Sequence, residues 1–559
     1  MADATQHVPH SGPEEGFAEY LARNRASAPS LKGVKDPDFL AIGLGGTNML
    51  AMLWAIASGR RAVGVEVRGD PFLGIHWNIR VDLYHQLGLI DQMMLERYGE
   101  TRLPKKMDGS LFRLADTFYS VATKARDVIA DAIIDGLDAG HHLTGRILHI
   151  EFIDDRWKDG KPQRTVTFTE PPPIPERPEP QMIRTDMQAI LDGPSTWQAA
   201  ANSIQLLLRR YLEKLEEIDL KSGKPPRVRL FTKHRVIQDG SGFSTSPCGR
   251  TQVRIEEVSE ILEFNNKVVR IRTPGSESID IGIPELFSIS TGINCQDAER
   301  LGFRQHDVKV DHHDGQGPKV AQADYIAAQI EVLVHGRLRR RIASEFDERG
   351  NEYWVRSIAV GHENDPEVCW LLVEVPEFET FCPVEKGILP RDTCHNSQAY
   401  FSAYQALLYD YYIEKAALIL EIPVSEMRRV SVLYGPKPFS LVERTAEDAR
   451  VAANGVVAGD SLANGHFLHS AGAMCGMIGH AYRFLEYWLS RDADPNQTPD
   501  AAIRVLADQI KRDSDALLAV SAKEFSQAVP SNFGAERGER VAAASGIRRG
   551  MQTVAEVGG

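Results

Sequence analysis

The chain has 559 residues, 43% apolar and 25% charged, the balance of a globular protein with room for more than one core. A formal charge of −13 argues against nucleic acid as the main partner, because phosphate binding needs a basic face. The six cysteines form no C-x-x-C pair, which excludes a disulfide framework or zinc spacing and reads as reduced thiols in a cytoplasmic protein.

Residues 1–36 are polar and Pro/Ser-rich and read as a loosely held arm, with no signal-peptide core. Leu40 to Gly59 is a stretch of twenty uncharged residues, long enough to cross a bilayer. Gly43, Gly45, Gly46, Thr47 and Asn48 interrupt it near its start, so it reads as strand, turn and helix, and no membrane span is expected. A hairpin is expected over 147–170, followed by an extended loop carrying Pro171, Pro172, Pro173, Pro175, Pro178 and Pro180. Ser195 or Thr196 is positioned to cap a helix whose core stripe is Trp197, Ala201, Ile204, Leu208, Tyr211 and Leu215. Short strands follow at Val228–Phe231, around Val253–Ile261 and at Lys267–Arg272.

Residues 303–430 read as a separate β-rich module, with strands at Tyr353–Val360 and Val368–Val375 and a long apolar helix over Ala399–Leu420. Arg337-Leu338-Arg339-Arg340-Arg341 is the densest basic cluster and reads as a solvated or salt-bridged helix face. His312-His313-Asp314 with His306 reads as an exposed turn rather than a metal site, and no metal is expected. Ser244, Ser246 and Ser470 lack the setting of a nucleophile elbow. After Gly459-Asp460 a helix is expected through Gly476 to about Trp488, and the last sixty or so residues are helical before a Gly/Arg-rich tail.

Two motifs carry the chemistry. Gly43-x-Gly45-x-x-Asn48 after an apolar strand is a dinucleotide turn, in which Gly43 permits the bend and Gly45 lets backbone approach a pyrophosphate. The following helix N-terminus offers its free amides to the same phosphates, with Gly46 and Thr47 as further cofactor-binding candidates. Asn48 replaces the usual third glycine, so looser helix–strand packing is expected. Glu66 closes the second strand 23 residues after Gly43, where its carboxylate can accept both ribose hydroxyls. An acid there favours FAD or NAD over NADP. Val456-Val457-Ala458-Gly459-Asp460, with Gly472, Ala473 and Gly476 beyond it, then favours FAD. Asp460 would take the ribityl hydroxyls, and the amides near Gly472 would face the flavin N1–C2=O edge.

These segments resemble the class A FAD-dependent monooxygenases, the p-hydroxybenzoate hydroxylase-like group. Asn78 to Asp91 is similar to that family's arginine-headed helix ending in Leu-Gly-Leu-x-Asp, which implies a cofactor contact for Arg80. Phe439 to Ala446 resembles the stretch before the family's Gly-Asp motif. Gly292, Arg300, Leu301 and Gly302 fit its middle motif, but Thr291 stands where the family has aspartate. The electron source is therefore open between NAD(P)H and a partner flavin reductase. His466 and Phe467 stand where the family has prolines beside the flavin. His466 is the candidate catalytic residue, as proton donor or substrate orienter, with a packed histidine as the alternative. The Trp-x-Trp-x-Ile-Pro segment of flavin halogenases is absent.

The resemblance implies an α/β protein with a split Rossmann-type FAD-binding domain, an inserted β-sheet-rich substrate domain and a C-terminal helical region. Its expected divisions are the arm 1–36, a first FAD-binding part 37–302 with the hairpin and Pro-rich stretch at about 147–182, a substrate domain 303–430, a last FAD-binding part 431–495, and helices and tail 496–559. The implied activity is oxygen insertion through a flavin C4a-hydroperoxide into an electron-rich organic substrate, such as an aromatic ring, free or carrier-bound, with molecular oxygen as co-substrate. The alternatives are a dehydrogenase, oxidase or reductase of the same fold, and a catalytically idle flavin-binding protein.

Overall fold

The computed structural model describes residues 35–69, 76–123, 149–158, 160–169, 183–193, 197–264, 267–272, 278–293, 295–311, 317–332, 337–346, 352–361, 368–375, 378–467, 470–494 and 496–525. The arm up to residue 34, the proline run, the Ser195/Thr196 cap, His312-His313-Asp314 and the tail lie outside them.

In chain order the elements that build the site begin with β1 (Phe39–Ile42), α1 (Gly46–Ala57), β2 (Ala62–Glu66) and α2 (Val81–Tyr98). Next come β3 (His149–Lys158), β4 (Lys161–Thr169), α3 (Ala201–Lys221), β5 (Val228–Thr232) and β6 (Leu286–Ile289). The second sheet brings β7 (Gln322–Ile330), β8 (Arg337–Phe346), β9 (Glu352–Gly361), β10 (Cys369–Val375), α4 (Gln398–Leu420) and β11 (Val432–Val442). The chain then returns through β12 (Arg450–Ala452), β13 (Gly455–Val457), α5 (Ala471–Met474), α6 (Ala481–Ala493) and α7 (Pro499–Phe525).

The first sheet has the order β12-β13-β6-β1-β2-β5, parallel except for the β12–β13 edge pair. Its central strands are buried on both faces, which is why Phe39-Leu40-Ala41-Ile42 carries no polar alternation. Two strands from residues 450–457 complete a sheet begun at residue 39, so the domain is split, as the fold class requires. All twelve residues of α1 are buried, under α2, α3, α6 and the turn that precedes α6. Complete enclosure by protein explains a segment as uncharged as a membrane span. Among the described residues no helix is long and apolar enough to cross a membrane.

The second sheet has the order β11-β7-β10-β9-β8-β3-β4. The expected hairpin is present as β3 and β4, and β3 runs parallel beside β8, so this sheet draws on chain from before residue 303 and after 430. One face, with Ile326, Ala328, Ile330, Leu371 and Val373, packs on α4 through Leu408, Tyr412, Ile413 and Ala416. The other face, with Tyr325, Leu338, Ile358, Val360 and Leu372, packs on Phe467 and on Phe525 at the end of α7.

Two local expectations need correction. Trp197–Ala200 is a short strand paired with His76–Ile79, and the helix starts only at Ala201. Its backbone partners come from a distant segment, which overrides the local helical spacing. Arg337–Arg341 is strand, not helix. The period of two sends Arg339 and Arg341 to one side, where they meet Glu151 and Asp155 of β3, each at 2.8 Å.

Candidate functional site

The carboxyl ends of β1, β2, β6 and β13 lie side by side in the first sheet, and the loops that leave them meet. Ligands of open α/β sheets collect at this edge. Gly43 bends at φ +88°, its amide donating to the Val65 carbonyl, and a Cβ there would overlap the Ser290 carbonyl oxygen. A Cβ on Gly45 would meet no atom of the described residues within 4 Å, so the loop's outer side is open. Gly45 is also the N-cap of α1 and brings no side chain to its first amides, and the first turn carries no acid. Those amides are available to an anion.

Asn48 is fully buried, and its amide donates to the carbonyls of Gly43 at 2.8 Å and Ile42 at 3.1 Å. It ties α1 to the strand beneath, where the usual motif has a third glycine. Glu66 accepts the Leu44 amide on one oxygen and the Arg68 amide on the other, each at 2.8 Å. The loop and the acid are thereby locked together, and each oxygen keeps acceptor capacity for a hydroxyl.

The late motif closes over the early one. Gly459 sits at φ +62°, and a Cβ on it would come within 2.7 Å of the Ser290 hydroxyl and 3.1 Å of the Thr47 hydroxyl. A Cβ on Gly476 would overlap the same Thr47 oxygen, and one on Gly46 would press on the Met477 sulfur at 2.6 Å. Residues 47 and 476 are therefore in direct apposition. Ser461 staples a third loop to this junction: its hydroxyl accepts the Thr291 amide and donates to the Gly292 carbonyl, both at 2.9 Å. Thr291, in the position of the family's aspartate, contributes backbone here.

Asp460 lies deep in the protein mass, and burial pushes its carboxyl up to about 6. The residue is nevertheless exposed, so its carboxylate faces an opening at this edge of the sheet rather than a packed core. Gly472 lies against it, at the point where a Cβ would be 2.9 Å from Oδ1, with the partly buried Ala473 next in α5. The α5 start is held from the other side, because Ser470 accepts the Asn78 amide at 2.9 Å. Arg80, two residues on, is buried at the head of α2 and donates to the carbonyls of Asn78 and Leu191. Desolvation lowers its pKa, with Asp82 opposing the shift.

His466 is 1% exposed and shares a 3.1 Å hydrogen bond through Nε2 with the Tyr325 hydroxyl of β7. Its ring packs between Phe467 and Phe525, and its amide donates to Ser521 of α7 at 2.6 Å. It joins the second sheet to the loops of the first. Sequence reasoning missed Ser290, Ser461, Tyr325 and Met477, which complete this junction. Only Ser461, directly after Gly-Asp, had a positional clue. Among the described residues no cluster of His, Cys, Asp or Glu could hold a metal.

No family model matches this chain, and no curated protein matches it. Among solved structures it is similar to p-nitrophenol 4-monooxygenase from Pseudomonas putida DLL-E4, at 12% identity and TM-score 0.49 over 94% of this chain and 98% of that one. It is also similar to aklavinone-11 hydroxylase, solved with FAD and aklavinone, at 11% identity and TM-score 0.48 over 89% and 70%. A flavin-dependent brominase gives 11% identity and TM-score 0.45 over 93% and 100%. These are distant likenesses, at which activity does not carry from one chain to another.

Proposed function

We propose that the chain is an FAD-dependent oxidoreductase that transfers an oxygen atom from O2 to an electron-rich organic substrate. The observation that carries the reading is the meeting of two remote motifs, Gly43–Asn48 with Glu66 and Gly459–Asp460 with Gly472, around a cleft into which Asp460 opens. The residues present fit FAD. Glu66 retains acceptors for two ribose hydroxyls, and the uncapped α1 start with Gly45 suits the pyrophosphate. Asp460 suits the ribityl chain, the Gly472–Ala473 turn suits the flavin edge, and Arg80 braces the neighbouring Asn78 and Leu191 backbone.

Bound flavin supplies the redox chemistry and the activation of oxygen. The chain's own part is to bind, orient and exclude water. The inner face of the second sheet, with Leu338, Ile358, Val360 and Phe467, offers an apolar wall beside the cleft and favours an organic substrate there. Electrons come from NAD(P)H or a partner reductase.

Oxygen-18 labelling tests the reading. Substrate-stimulated uptake of labelled O2 with one labelled atom in the product is expected. Hydrogen peroxide with unlabelled product would move the chain to the oxidase alternative, substrate-dependent flavin turnover without oxygen uptake would move it to the dehydrogenase or reductase alternative, and the absence of all three would make it an idle binder. His466 is proposed to act from its hydrogen bond with Tyr325. His466→Gln should lower kcat and alter its pH profile if the imidazole handles a proton. A loss of stability alone would make it a packed joint.

A further inference from the structure

Behind the Gly459–Asp460 turn, away from the cleft, lies a buried polar group that none of these roles uses. The helix that starts at Ala471 widens into a π-helical turn over Cys475–His480 before continuing as α6. Such widened turns are often retained where a side chain must be re-aimed. Here the turn brings His480 inward, 1% exposed, and its Nδ1 accepts the Gly459 amide at 2.9 Å. Nδ1 therefore carries no proton, and in the neutral ring the proton is on Nε2. The Ser514 hydroxyl lies 3.1 Å from Nε2 and the Cys475 sulfur 3.4 Å, and either can accept the Nε2 proton. Burial, with Arg483 nearby, depresses the His480 pKa to about 3, so the ring stays a neutral acceptor.

Gly459 is in the left-handed region, where the next residue's direction depends on how the turn is held. We propose that His480 is a positioning residue: by holding the Gly459 amide it sets the direction in which the Asp460 carboxylate enters the cleft. The proposal rests on the flavin reading for its purpose, and on the hydrogen bond for its geometry. A histidine that merely fills space would be replaceable by an apolar residue of similar volume. One that positions requires an acceptor at Nδ1.

The test compares wild type, His480→Leu, His480→Asn and His480→Gln, each as the full chain. The readouts are amide hydrogen exchange in segment 458–461, FAD affinity from flavin fluorescence quenching, and thermal melting. In His480→Leu, exchange should speed up and FAD affinity should fall by about tenfold each, the scale of one buried hydrogen bond. His480→Asn, which keeps an acceptor oxygen, should recover most of both. Wild-type exchange and affinity in His480→Leu would overturn the proposal. If that variant does not fold, His480→Gln, whose longer amide reaches the Nε2 position and leaves Nδ1 without a counterpart, decides on exchange, where an unchanged rate overturns it. If wild type takes up no FAD, the flavin reading fails, and the exchange comparison alone upholds or rejects the lock.

Discussion

At Gly476 the helix backbone runs against the Thr47 hydroxyl with no room for one more carbon. Gly476→Ala should therefore cost about 1–3 kcal/mol by overpacking. The cost should shrink in the Gly476→Ala/Thr47→Ala double variant, because the clashing atom is gone. Additive losses in urea unfolding would contradict the apposition. Glu443 gives a pH-dependent prediction. It is fully buried, and burial pushes its carboxyl to about 7, with the Ser521 hydroxyl offsetting part of the shift. The folded pKa lies above the ordinary value of 4.5, so the stability linked to its proton is full below about 4.5 and is lost as pH rises through 7. Glu443→Gln imitates the protonated form. It should stabilise the protein at pH 8, by up to about 3 kcal/mol, and make little difference at pH 4. Equal effects at both pH values would show that the carboxyl titrates normally.

At the scale of elements, α6 and α7 are clamped by Arg483, whose guanidinium makes two 2.9 Å bonds to the buried Asp513 carboxylate and one 2.8 Å bond to the Thr185 carbonyl. Asp513→Ala removes one of the two carboxylates on Arg483, with Glu486 remaining at 3.0 Å, so it should cost about 1–3 kcal/mol. A melting temperature unchanged from wild type would contradict this. The strands and helices of the first sheet were readable because each is covered on known sides: unbroken apolar runs for β1 and β13, a glycine turn, then an apolar helix. The long helix α4 was readable from its length and apolar content. What failed depended on remote partners. Trp197–Ala200 fits a helix until His76–Ile79 pairs with it, and Arg337–Arg341 looks like a helix face until β3 brings Glu151 and Asp155 alongside.

At the scale of the molecule, Tyr325, His466, Phe467 and Phe525 join the two sheets on the face of the second sheet opposite α4, and Arg356 of β9 pairs with Glu524 of α7 at 2.8 Å on the same side. The meeting of the Gly43–Asn48 and Gly459–Asp460 loops was legible because glycines at a strand end state the backbone geometry they need. His480 was not legible, since nothing in its neighbours announces that a π-helical turn aims it at Gly459. The substrate half was not legible either, because an apolar sheet face is written the same way whether it meets protein or ligand.

The central claim is that segments nearly 400 residues apart form one flavin site. A fluorescence titration of the apoprotein with FAD tests it most directly, in wild type, Glu66→Ala and Asp460→Ala. The account predicts one FAD per chain for wild type and at least about a tenfold weakening in each variant, the scale of lost charge-assisted hydrogen bonds. Absence of FAD uptake by folded wild type, or wild-type affinity in both variants, would contradict it.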